Sequence, residues 1–105
     1  MIYAEFFKRG KVLLGFCISG HSGTAEAGAD IVCAAVSSAT YMAANTITDI
    51  VKANADVSVK DGFMSLKIPT AESTSCRVVL EGFHVHMVSL QKQYSNYITL
   101  TDMEV

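Results

Sequence analysis

The sequence predicts an α+β fold of order β-β-α-β-β-α-β, in which two main helices cover an antiparallel or mixed sheet. Three observations carry that prediction. Two turn signals, Arg9-Gly10-Lys11 and Asp61-Gly62, each separate extended runs rich in β-branched and aromatic residues. Two longer segments repeat apolar residues at three- and four-residue steps, the period of a helix with one buried face. Half of the 105 residues are apolar, 17% are charged and there is a single Pro, the composition of a chain that buries a core.

Ile2 to Lys8 and Val12 to Ile18 read as the first hairpin, with Gly10 at the turn and Val12, Leu14, Phe16 and Ile18 on one face. Ser19 to Ala29 breaks all periodicity. Gly20, Gly23 and Gly28 make its backbone permissive, so it reads as a long mobile loop that substrate would order. From Asp30 to about Ala53 the pattern is helical, with Val32, Ala35, Val36, Ala39, Ala43, Ile47 and Ile50 forming the stripe. Ala55 to Lys60 and Phe63 to Ile68 form the second hairpin, placing Met64, Leu66 and Ile68 toward the core.

Pro69 ends that strand, and Ser73, Thr74 and Ser75 offer caps for a second helix reaching Tyr94. Cys76, Leu80, Phe83, Met87, Leu90 and Tyr94 keep its helical spacing, although Phe83, Val85 and Met87 also alternate as a strand does. Asn96 to Val105 closes as the last strand. With no repeat, linker or low-complexity segment, the chain reads as one domain over residues 1–105.

Eight basic and ten acidic side chains give a net charge of −2, so no broad positive field draws nucleic acid or anionic lipid. The N-terminus lacks the basic-then-apolar order of a signal peptide, and no uninterrupted apolar run approaches the ~18 residues of a membrane span. A cytoplasmic protein is expected. Cys17, Cys33 and Cys76 are odd in number and contain no CxxC pair, which suits reduced thiols better than a disulfide framework or a zinc ribbon.

The chemistry concentrates between Gly20 and Ser37. Cys33 is expected in the first turn of the first helix, where free backbone N–H groups and the macrodipole favour a thiolate. Asp30 and Ser37 fall on the same helix face, and Asp30 doubles as an N-cap. His21, twelve residues before Cys33, sits at the strand end on a chain long enough to fold over the helix start. Such a pair can do acyl transfer: imidazole takes the thiol proton, the thiolate attacks a carbonyl, and imidazolium protonates the leaving amine. Backbone N–H groups near Cys33 are the expected oxyanion donors.

Each of these residues also has an ordinary structural role available to it. A cysteine in a helix is commonly a packed small residue, and a loop histidine commonly bonds locally. The glycines match neither GxGxxG nor a Walker loop. His84 and His86 are two apart and make no HExxH pair, so neither a phosphate cradle nor a metal site is expected. Cys17 and Cys76 read as structural.

Gly20-His21, followed by Gly28-x-Asp30-x-Val32-Cys33-Ala34 and then Ser37, resembles the ribosomal-processing cysteine protease family, Prp. The resemblance covers the chain in length and element order and is sharpest over residues 20–37. Ser22 departs from the alanine usual in the family after the histidine, and the second half supports the match by pattern alone. The resemblance implies removal of a short N-terminal extension from the precursor of large-subunit ribosomal protein twenty-seven, by a homodimer acting without metal or organic cofactor. It implies Cys33 as nucleophile, His21 as base, and Gly20, Asp30 and Ser37 at the substrate site. The extension's apolar, aromatic-containing end calls for a partly apolar groove. Two other readings stay open on the residues alone: a non-catalytic ribosome-associated binding or assembly factor with Cys33 packed, and a redox-sensing thiol.

Overall fold

The computed structural model describes residues 1–21 and 27–105, and for residues 27–30 the backbone alone. Five strands and two long helices follow in the order β1 (Ile2–Arg9), β2 (Val12–Gly20), α1 (Ala27–Asn45), β3 (Asp56–Lys60), β4 (Phe63–Lys67), α2 (Ser73–Gln93) and β5 (Ile98–Glu104). The α+β expectation holds. The sheet order is β3-β4-β2-β1-β5. The β1–β2, β2–β4 and β3–β4 pairings are antiparallel and β1–β5 is parallel, because α2 returns the chain to the far edge in the same direction as β1.

Alternation fixes which face of the sheet is covered. Ala4 pairs with Ile18, Phe6 with Phe16, and Phe16 with Leu66, so all five point to one side, and all are buried. Phe6, Phe16 and Phe83 of α2 form a three-ring cluster with tilted and edge-on contacts at the centre of the core. From α2, Cys76, Leu80, Phe83, Met87 and Leu90 all pack inward while Val85 faces solvent. The helical period therefore overrides the short strand-like alternation. The helix lies across β2 and β5, and α1 packs along α2.

Several boundaries move. The first helix begins at Ala27, three residues before Asp30, because Ala27 and Ala29 are strong helix formers that carry no apolar period. Ser19 and Gly20 belong to β2 and Ala27 to Ala29 to α1, so the expected mobile loop loses both ends; of its remainder, His21 follows the strand and residues 22–26 lie outside the described residues. At its C-terminus α1 passes into a π-helical turn, Thr46–Val51, closed by Lys52 in the left-handed conformation. The wider turn rotates the stripe, leaving Ile50 75% exposed while Ile47 stays buried. A 3-10 turn, Thr70–Glu72, leads into α2, whose N-cap is Glu72 instead of a serine or threonine, and the Ser75 hydroxyl donates to the Glu72 carbonyl.

Ile31–Val51 is long and apolar enough to cross a membrane by length and composition, yet Val32, Val36, Ala43, Ala44 and Ile47 within it are core residues. The sheet extends past the helical layer. Val57 and Val59 of edge strand β3 pair with the buried Leu66 and Met64 but are themselves 38% and 51% exposed. This overhang leaves a gap between α1 and the β3–β4 hairpin.

Candidate active site

That gap is a cleft of about 530 Å³. Ile2, Ile18 and Met64 form its apolar floor. Cys33, Val36, Ser37, Thr40 and Tyr41 of α1 make one wall, and Val59 to Phe63 of the hairpin make the other. His21 and Gly20 close the end where β2 stops. Thus Cys33, His21, Ser37 and Gly20, four of the five predicted site residues, border one cavity. For the fifth, Asp30, the backbone is helical and its side chain lies outside the described residues.

Cys33 and Ser37 are one helical turn apart, so α1 presents both to the same space. Cys33 is half-buried, a free thiol on the cleft wall. The helix starts at Ala27, so Cys33 stands in the second turn and Asp30 cannot be the N-cap. The Cys33 N–H then falls beyond the four free amides of the first turn, so it is not the oxyanion donor expected at a helix start.

His21 is placed by backbone geometry. Gly20, the last residue of β2, has φ +92°, and a Cβ there would strike the carbonyl of Met1 across the β1–β2 pair. Glycine is therefore required where the chain turns out of the sheet. The Gly20 N–H donates to the Gly62 carbonyl at 2.9 Å, and the Met1 ammonium group donates to the His21 carbonyl at 2.6 Å. The imidazole itself is exposed. Among the described residues no hydrogen bond joins it to Cys33, an arrangement common in catalytic pairs before substrate is bound.

The other two thiols are set by their surroundings. Burial pushes the Cys76 thiol above its ordinary value, with Glu72 adding to the rise and a Ser75 hydrogen bond opposing it. Burial also raises Cys17, helped by Glu5 and opposed by Lys67. Both stay protonated and inert at neutral pH. His84 donates its Nε2–H to Asp102 Oδ1 at 2.8 Å, far along the sequence from any predicted site residue. Among the described residues no group of three or more His, Cys, Asp or Glu is disposed to hold a metal.

The hairpin wall escaped the sequence reading. Asp61-Gly62 is visible as a turn, but its place beside His21 depends on the β2–β4 register, in which Ser19 pairs with Phe63. The alternating Val57 and Val59 were a usable hint, since an apolar alternation left exposed on an edge strand marks a surface that meets something.

A helix-borne thiol and a strand-end imidazole bordering one partly apolar cleft are the equipment of a cysteine hydrolase. The match to known proteins defines it further: the family described as Cysteine protease Prp matches residues 1–99, and the chain belongs to that family. It is a cysteine protease. No curated protein matches the sequence. Among solved structures, SMU.848 from Streptococcus mutans is 26% identical, with all of this chain and 96% of that one covered and a TM-score of 0.87. The essential ribosomal processing protease Prp from S. aureus in complex with a substrate peptide is 20% identical, with 98% and 100% covered and a TM-score of 0.86. The same S. aureus protease with a covalently linked product peptide is 21% identical, with the same coverage and a TM-score of 0.85.

Proposed function

We propose that this protease is an endopeptidase of ribosomal processing in which Cys33 is the nucleophile and His21 the general base. It removes the short N-terminal extension from the precursor of large-subunit ribosomal protein twenty-seven. The observation that carries the reading is the convergence of Cys33 and His21, from different elements, on one cleft. The family and the peptide complexes of the S. aureus protease support it. The substrate identity rests on the family resemblance of residues 20–37.

In this mechanism His21 accepts the Cys33 proton, and the thiolate attacks the scissile carbonyl to give a tetrahedral oxyanion. Collapse breaks the C–N bond, with imidazolium donating its proton to the leaving amine. Water then attacks the thioester with His21 again as base, releasing the carboxylate product and restoring the thiol. Ser37, Gly20 and Asp30 contribute to the substrate site, and the floor of Ile2, Ile18 and Met64 accepts an apolar segment of the extension. No metal or organic cofactor takes part.

The enzyme is further proposed to act in the cytoplasm as a homodimer without binding nucleic acid or membrane. The exposed Ile31 and Met42 on α1 are consistent with a protein partner surface, and a net charge of −2 gives no polyanion footprint. Incubating the purified protein with the extended ribosomal protein and measuring intact masses tests the assignment. One cleavage at the extension boundary is expected; an intact precursor after prolonged incubation overturns the substrate, and light scattering decides the oligomeric state.

A further inference from the structure

We infer that Gly62, in the turn of the β3–β4 hairpin, is a positioning residue for His21: the imidazole rests on the space its missing Cβ leaves. This deepens the proposed function, since it rests on His21 being the base. The three atoms nearest a Cβ built on Gly62 all belong to the His21 ring: it would overlap Nε2 and lie 2.8 Å from Cε1 and 3.2 Å from Cδ2. The ring edge thus occupies the space that a side chain at position 62 would take. The turn is also tied to the residue before the histidine, through the Gly20 N–H to Gly62 carbonyl bond of 2.9 Å. One glycine therefore holds both the backbone entering His21 and the ring leaving it.

The contact is with the end of a side chain, so a methyl group at position 62 is relieved by swinging the imidazole and not by moving the sheet. A base moved by about 1 Å loses on the order of 10²-fold in rate. Gly62 also has φ +67°, so any side chain there carries left-handed strain as well. The molecule contains its own control for that strain. Gly10, in the β1–β2 turn, has φ +61° with nothing within 4 Å of a built Cβ.

The experiment compares Gly62→Ala, Gly10→Ala and His21→Ala with the parent, measuring kcat/KM on the extended precursor, urea stability, and the His21 Cε1–H resonance across pH. Comparable stability losses in the two glycine variants are expected. A fall in kcat/KM of about 10- to 100-fold and a shifted His21 resonance are expected in Gly62→Ala alone. Equal activity in Gly62→Ala and Gly10→Ala, or an unmoved His21 resonance in Gly62→Ala, overturns the inference. Should Gly62→Ala fail to fold, magnetisation transfer between the Gly62 Hα protons and His21 Hε1 in the parent protein decides it, and its absence counts against the contact. Full activity in His21→Ala sinks the base assignment instead, a failure separate from the contact, which the resonance still reads.

Discussion

The protein has two histidine corners, and they are built in opposite ways. At the β5 edge, His84 Nε2 is 2.8 Å from Asp102 Oδ1, Lys8 Nζ is 3.9 Å from Asp102 Oδ2, and the His84 ring stands edge-on to Phe6 at 4.7 Å between centroids. Its ring is pinned by packing and by a carboxylate. At the cleft, His21 is exposed and rests on a glycine, and among the described residues its ring has no hydrogen-bond partner. A search for a histidine oriented by an acid would choose the first corner, yet the thiol on the cleft wall belongs to the second. His84 is held in place by a carboxylate on Nε2 and by packing against Phe6, whereas the base role proposed for His21 requires a ring nitrogen left open to exchange protons.

Cysteine substitutions break this comparison most sharply. Cys33→Ala should reduce cleavage of the precursor by roughly 10⁴-fold or more, since a thiol nucleophile has no substitute in the cleft. Cys17→Ala and Cys76→Ala should retain it. Substantial cleavage by folded Cys33→Ala, read by intact mass, removes the nucleophile assignment.

The histidines come next. His21→Ala should lose about two to four orders of magnitude in kcat/KM with little change in unfolding midpoint. His84→Ala should do the reverse, keeping activity while losing about 1–2 kcal/mol in urea unfolding, because it removes the Asp102 bond and the contact with Phe6. If His84→Ala is inactive though folded, the two corners have been assigned the wrong way round.

Thiol reactivity sharpens the contrast without changing any residue. Native protein treated with an alkylating agent at neutral pH should be modified first at Cys33. Cys76, with no exposed surface, should react only after denaturant is added. Peptide mapping reads the order, and modification of Cys76 ahead of Cys33 in native protein contradicts it.

Local signals made much of this molecule legible. The Gly10 and Asp61-Gly62 turns, the stripes of α1 and α2 and the alternation of β1, β2 and β4 are encoded within a few residues of one another. Cys33, Ser37 and His21 stood out for the same reason, as reactive side chains in one short segment. What escaped depends on contacts between distant segments or on backbone geometry without a side-chain signature. Ala27 and Ala29 extend α1 silently, the π-helical turn turns Ile50 outward, and Gly62 meets His21 only through the pairing of β2 with β4.

The smallest expected effect concerns pH and separates the buried thiols from the cleft. Burial raises the folded-state value of Cys76 above the ordinary thiol value near 9.0. As pH rises through that ordinary value, the unfolded chain loses its Cys76 proton while the folded chain keeps it. The unfolded state is then favoured, so the stability present at neutral pH declines from about pH 8.5 upward. Cys17, raised by burial as well, acts in the same direction. At about pH 9.5 the Cys76 share is less than about 1 kcal/mol, the whole free energy of ionising one unfolded thiol at that pH. Urea unfolding at neutral pH and at pH 9.5, on the parent and on Cys76→Ala, isolates it from the lysines and tyrosines common to both. Cys76→Ala should be less stable at neutral pH for loss of a core side chain and should lose less on going alkaline. An equal alkaline loss in the two proteins shows that Cys76 is not held protonated by the core, and removes the physical reason for treating it as inert beside Cys33.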